Sequence, residues 1–138
     1  MTGVQTCALP IYTVKLLNNL MFGAINGIVV ECMAAAPRLG LEPERFYNVI
    51  AESNAASVSN LFLELGPKII ERDFSPAFRV SLLDKDVRLG VAMLERAGVH
   101  PSVALAVATQ LESSRVLGIG DLDTAALVKL YEVQHAPD

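Results

Sequence analysis

Tryptophan is absent from the 138 residues, and cysteine and histidine occur only twice each. Cys7 and Cys32 have no metal-ligand spacing, and His100 and His135 lie far apart, so no metal site is expected. Two cysteines are a poor basis for a structural disulfide, and Cys32 reads as a small buried apolar residue. Charge is scarce too: charged residues make up 19% of the chain, and the net charge is -4. The usual charged share is ~25%. No basic patch with interleaved aromatics is present, which argues against nucleic acid as a partner. No alternating β-branched run of strand length occurs, nor any internal repeat or low-complexity tract. "GIGDLD", residues 118–123, contains glycines but follows no strand, so it is not a dinucleotide fingerprint.

What the chain has is apolar material, at 52% of residues. The ordinary share is ~45–50% with glycine included. The length suits one domain. Such a composition gives more apolar surface than a lone globule needs and points to a missing partner surface. Residues Leu16 to Ala36 reach the ~20 residues of a membrane span. Asn18, Asn19, Asn26 and Glu31 argue against that reading, because each polar group is costly in hydrocarbon. No basic segment precedes an apolar core, so no signal peptide is expected. The expectation is a soluble, cytoplasmic protein without membrane contact.

The pattern is helical throughout. A long helix is expected from Tyr12 to about Leu39, with apolar residues at Val14, Leu17, Met21, Ala24, Ile28 and Val29 and Gly40 as its C-terminal cap. Its length would let it extend from one domain into another. Pro43 opens a second helix through Phe46, Val49 and Ile50. "SNAAS", residues 53–57, is a break, and Ser53, Ser57 and Ser59 read as caps. A short third helix covers about Val58 to Leu65, and Gly66-Pro67 marks a turn before one more turn from Lys68 to Arg72. Residues 72–78 read as a loop. Helices then follow from Phe78 to Ala97, closed by Gly98, and from Pro101 to about Leu117. Asp123 caps a last helix ending near Val133, and residues 134–138 fray. The fold class is all-α: about six helices, a long N-terminal helix followed by a helical bundle.

Two constellations carry chemistry. At 100° per residue, Lys15, Asn19, Phe22 and Asn26 fall within about 60° of one another. On an arbitrary helix such a stripe is the solvent side. Here Leu, Met and Ile cover most of the remaining circumference, and a narrow polar stripe on an apolar helix suggests a cleft. The second is "FRVSLLDKDVRLG", residues 78–90. Phe78, Leu82, Lys85 and Leu89 share one face, with Asp84 and Asp86 flanking Lys85 and solvated if that lysine merely snorkels. Lys85 is either a snorkelling lysine or a cation directed at an anionic ligand.

The order "KLLNN", "RLGLEP", "FRVSLLDKD" and "DTAALVKLYE" closely resembles the C-terminal domain of the β-hydroxyacid dehydrogenases. That family includes 3-hydroxyisobutyrate dehydrogenase and tartronate semialdehyde reductase. The resemblance covers residues 12–132. It implies a helical substrate and dimerisation domain, like the C-terminal domain of 6-phosphogluconate dehydrogenase, that normally follows a Rossmann domain holding NAD or NADP. It also implies a small β-hydroxyacid as substrate and a homo-oligomer. By position it makes Lys15 catalytic, assigns Asn19 and Asn18 to substrate, and places Lys85 and Phe78 by the cofactor. A lysine can accept the hydroxyl proton as hydride leaves for nicotinamide. The chain departs from the family before Tyr12. "MTGVQTCALPI", residues 1–11, resembles a translated sequencing adapter, and neither the Rossmann domain nor the glycines that usually precede the lysine are present. The isolated chain is therefore expected to lack dehydrogenase activity, and NAD(P)H turnover by the purified chain would contradict that. The other open reading is a stand-alone helical dimerisation or interaction module.

Overall fold

The computed structural model describes the backbone of residues 3–53 and 59–133 and the side chains of 9–53 and 59–132. Six α-helices and one 3-10 helix follow in order: α1 Gly3–Arg38, α2 Pro43–Glu52, α3 Asn60–Glu71, α4 Val80–Arg96, α5 Ser102–Leu117, a 3-10 turn Thr124–Val128, and α6 Lys129–Val133. Among the described residues no strand forms; the one ladder contact is an isolated antiparallel bridge between Arg79 and Asp123. The expected all-α class is the observed one. Of the expected break at 53–57 only Ser53, the C-cap of α2, is described; residues 54–57, the helix start at Val58 and the tail 134–138 lie outside the described residues.

Helix α1 is the spine, and every other element packs against it. It runs through Pro10 back to Gly3, nine residues before the expected start at Tyr12. At about 1.5 Å per residue its 36 residues span about 54 Å. Its stretch Leu9–Arg38 is long and apolar enough to cross a membrane by length and composition, yet it also buries the centre of the protein's core. Gly40, with φ of +82°, ends the helix as expected.

Which face of α1 is buried was not legible from its period. Val14, Leu17, Met21 and Ile28, which carry the period, are exposed. Leu16, Val30 and Met33 are buried instead, and Val30 and Met33 join Leu65, Leu83, Val87, Leu111 and Leu127 from the other elements in one core. A helix that is apolar nearly all round has the right spacing on several faces at once. Gly90 on α4 permits close approach there: a Cβ on it would come within 2.8 Å of Leu20 on α1.

Two further expectations need correction. Gly66-Pro67 is no turn, because α3 passes straight through it. Gly66 is glycine for space: a Cβ would sit 2.3 Å from the Tyr47 ring. Pro67 lacks the N–H that would bond the Leu63 carbonyl four residues back. The Tyr47 hydroxyl donates to that carbonyl at 3.3 Å. Cys32 is exposed rather than buried, beside Ile28, Phe46 and Ile50.

Candidate functional site

The polar stripe of α1 faces α4 and the loop before it, not open solvent. It grades from exposed Lys15 through half-buried Asn19 and Phe22 to Asn26, which is wholly buried. Asn26 leaves the site and becomes structural: its Nδ2 donates to the Thr124 carbonyl at 3.2 Å. The upper part of the stripe opens on a cleft of about 340 Å³. Lys15, Asn19 and Phe22 form one wall; Phe78, Leu82, Lys85 and Asp86 form the other. Phe22 and Phe78 meet edge to face, with ring centroids 5.3 Å apart. Four of the five residues singled out in the sequence thus line one cleft. Asn18 is exposed beside it, its Nδ2 3.4 Å from Asn19 Oδ1.

The two aspartates, solvated on the snorkelling reading of Lys85, are buried. Asp84 is 3% exposed and receives Arg88 Nε at 3.4 Å and Arg115 Nε at 2.8 Å, which ties α4 to α5. A carboxylate this buried requires such partners. Asp86 is 8% exposed and belongs to the site: its Oδ2 accepts Asn19 Nδ2 at 2.6 Å. A signal for Asp86 was available. Leu82, Lys85, Asp86 and Leu89 stand at i, i+3, i+4 and i+7, so Asp86 shares the face of Lys85. Its charge suggested solvent, and tertiary placement decided otherwise.

The Asn19–Asp86 bond also fixes the asparagine amide. An ionised carboxylate only accepts, so it must receive the NH2 group. The Asn19 carbonyl oxygen, which Asn18 Nδ2 approaches at 3.4 Å, keeps a second lone pair as an acceptor one helical turn from Lys15. The cleft therefore presents two lysines, one oriented amide oxygen and an aromatic wall, with one buried acid between the helices. This donor set suits an anionic ligand carrying a hydroxyl or carbonyl. Among the described residues no three His, Cys, Asp or Glu side chains cluster as metal ligands would.

Residues 12–131 match the family described as NAD-binding of NADP-dependent 3-hydroxyisobutyrate dehydrogenase. The chain belongs to this family. A similar curated protein is the 2-(hydroxymethyl)glutarate dehydrogenase of Eubacterium barkeri, 32% identical over 86% of this chain and 39% of its own length. Glyoxylate/succinic semialdehyde reductase 1 of Arabidopsis thaliana is 28% identical over 83% of this chain and 39% of its own length. The fold matches 3-hydroxyisobutyrate dehydrogenase from Salmonella typhimurium with a TM-score of 0.80 at 24% identity, over 86% of this chain and 41% of that one. The chain thus spans about two fifths of the length of these relatives. The match begins at residue 12, where the sequence changes character.

Proposed function

We propose that the chain is the helical substrate domain of an NAD(P)-dependent oxidoreductase that interconverts a β-hydroxyacid and its aldehyde or keto form. The observation that carries this reading is the convergence of Lys15, Asn19, Phe78 and Lys85 on one cleft from two helices and a loop. Family membership supplies the class of cofactor and reaction. The donor set fits that class: Lys85 and Lys15 favour anionic groups, and Phe78 offers a flat apolar face to a ring. When bound, the nicotinamide takes or gives the hydride. The chain's own part is proton transfer and orientation. Lys15 Nζ takes the hydroxyl proton during oxidation and returns it to the carbonyl oxygen during reduction. Asn19 Oδ1, held by Asp86, accepts the substrate hydroxyl and aligns it with Lys15. Asn18 borders the substrate side, and Lys85 and Phe78 the cofactor side.

The reading includes a homo-oligomer. Val14, Met21, Ile28 and Ala35 recur every seven residues on α1, with Leu17, Ala24 and Glu31 between them, as in a helix-pairing seam with one charged position. Val14, Met21 and Ile28 are each more than half exposed.

The test joins residues 12–138 behind a homologous Rossmann domain. Lys15→Ala is expected to lower kcat by about 10²–10⁴-fold, the usual weight of a general acid–base. Its circular dichroism should match the parent's. Unchanged turnover in that variant would remove Lys15 from the chemistry and the reading with it.

A further inference from the structure

A second buried carboxylate, outside the cleft, holds the segment that carries Phe78. Asp123 is 2% exposed. Its Oδ1 accepts Ala125 N at 3.0 Å and so caps the 3-10 turn. A cap needs only that oxygen. Its Oδ2 accepts three more donors: Ala77 N at 2.9 Å, Phe78 N at 3.2 Å and Lys68 Nζ at 3.1 Å. The backbone repeats the link, with Asp123 N donating to Phe74 O at 3.0 Å and Thr124 N to Phe78 O at 2.9 Å. Four donors on one side chain need two acceptor oxygens, which an asparagine lacks. Lys68, on α3 and outside the lining of the cleft, neutralises a charge that would otherwise be buried alone.

We propose that Asp123, with Lys68 as its counter-charge, is a positioning residue that fixes the Phe78 wall of the Lys15–Asn19–Lys85 cleft. The inference rests on the function proposed above only in treating that cleft as the site. Asp123 does not line the cleft. It acts by holding two consecutive loop amides, which sets where the Phe78 ring meets Phe22. Helix capping alone would leave those loop amides and Lys68 without a role.

The test uses the full chain labelled with 4-fluorophenylalanine and read by fluorine NMR. There are five phenylalanines, and Phe78→Leu identifies the Phe78 signal. Asp123→Asn and Lys68→Met are expected to shift or broaden the Phe78 and Phe22 signals. Phe46 and Phe62, which pair with each other at 6.3 Å, should hold their positions as internal controls. Lys68→Arg, which keeps the charge, should restore the wild-type Phe78 position. A purely structural role would lower the unfolding temperature without moving Phe78 in the folded chain. A wild-type Phe78 signal in folded Lys68→Met and Asp123→Asn chains would overturn the proposal. If Asp123→Asn fails to fold, Lys68→Met against Lys68→Arg decides alone. The readout needs no turnover: a moved Phe78 signal with an active Lys15→Ala graft would sink the function and keep the clamp, and the reverse pair of results would do the opposite.

Discussion

At the scale of single residues, the buried ionisable groups have partners in place, whereas the amide oxygens of Asn26 and Gln110 are buried without one. Asp86 has Asn19, Asp84 has two arginines, and Tyr131 has a chain of its own. The Tyr131 hydroxyl accepts Gln110 Nε2 at 2.8 Å and donates to Glu31 Oε1 at 2.8 Å, joining α6, α5 and α1. Burial, reinforced by the Glu31 carboxylate it donates to, pushes the Tyr131 phenol up from 10.0 to about 12. The sign follows directly. In the unfolded chain the phenol loses its proton near pH ~10, whereas the folded chain holds it to about 12. The stability this group contributes is full below pH 10 and is lost as pH rises towards 12. Tyrosinate absorbance should therefore show a late step that Tyr131→Phe removes. Glu31→Gln, which takes away the carboxylate, should move that step to lower pH. A Tyr131 step that ignores Glu31→Gln would deny the carboxylate its part.

At the scale of elements, most boundaries follow from local chemistry, and the errors come where one element is held by another. Pro43, Gly40, Gly98 and Asp123 mark ends that the structure keeps, because caps and positive φ act within a turn. Gly66-Pro67 signals a turn by every local rule, yet α3 continues because Tyr47, sixteen residues before Leu63, supplies the missing donor. That partner is tertiary, so no window around Pro67 contains it. The site shows the same division. Lys15, Asn19, Phe22 and Lys85 are legible from 100° steps along two helices, whereas Asp86 needs the facing helix to explain its burial. Tyr47→Phe tests the α3 argument, since it keeps the ring over Gly66 and removes only the hydroxyl. The expected loss is about 0.5–1.5 kcal/mol, the net worth of one hydrogen bond. It should appear as a lower denaturant midpoint at unchanged slope. An unchanged midpoint would mean that water serves the Leu63 carbonyl equally well.

At the scale of the whole molecule, the unequal faces of α1 are the feature that needs an explanation. One face builds the core and opens on the cleft. The other leaves Met21 60% and Ile28 55% exposed along a seven-residue seam that also carries Glu31. Isolated exposed apolar residues are ordinary, but a continuous row of them marks an interaction surface. A second copy of the chain offers the same seam, which a two-fold arrangement pairs with itself. Sedimentation velocity over a concentration series is expected to show a reversible dimer. Met21→Glu and Ile28→Glu place a carboxylate where it must be desolvated, so the double variant should weaken association by at least about tenfold, or ~1.4 kcal/mol. Both positions face solvent in the single chain, so helix content and unfolding midpoint should stay near the parent's. If the parent stays monomeric across the series, the seam is not a contact between copies.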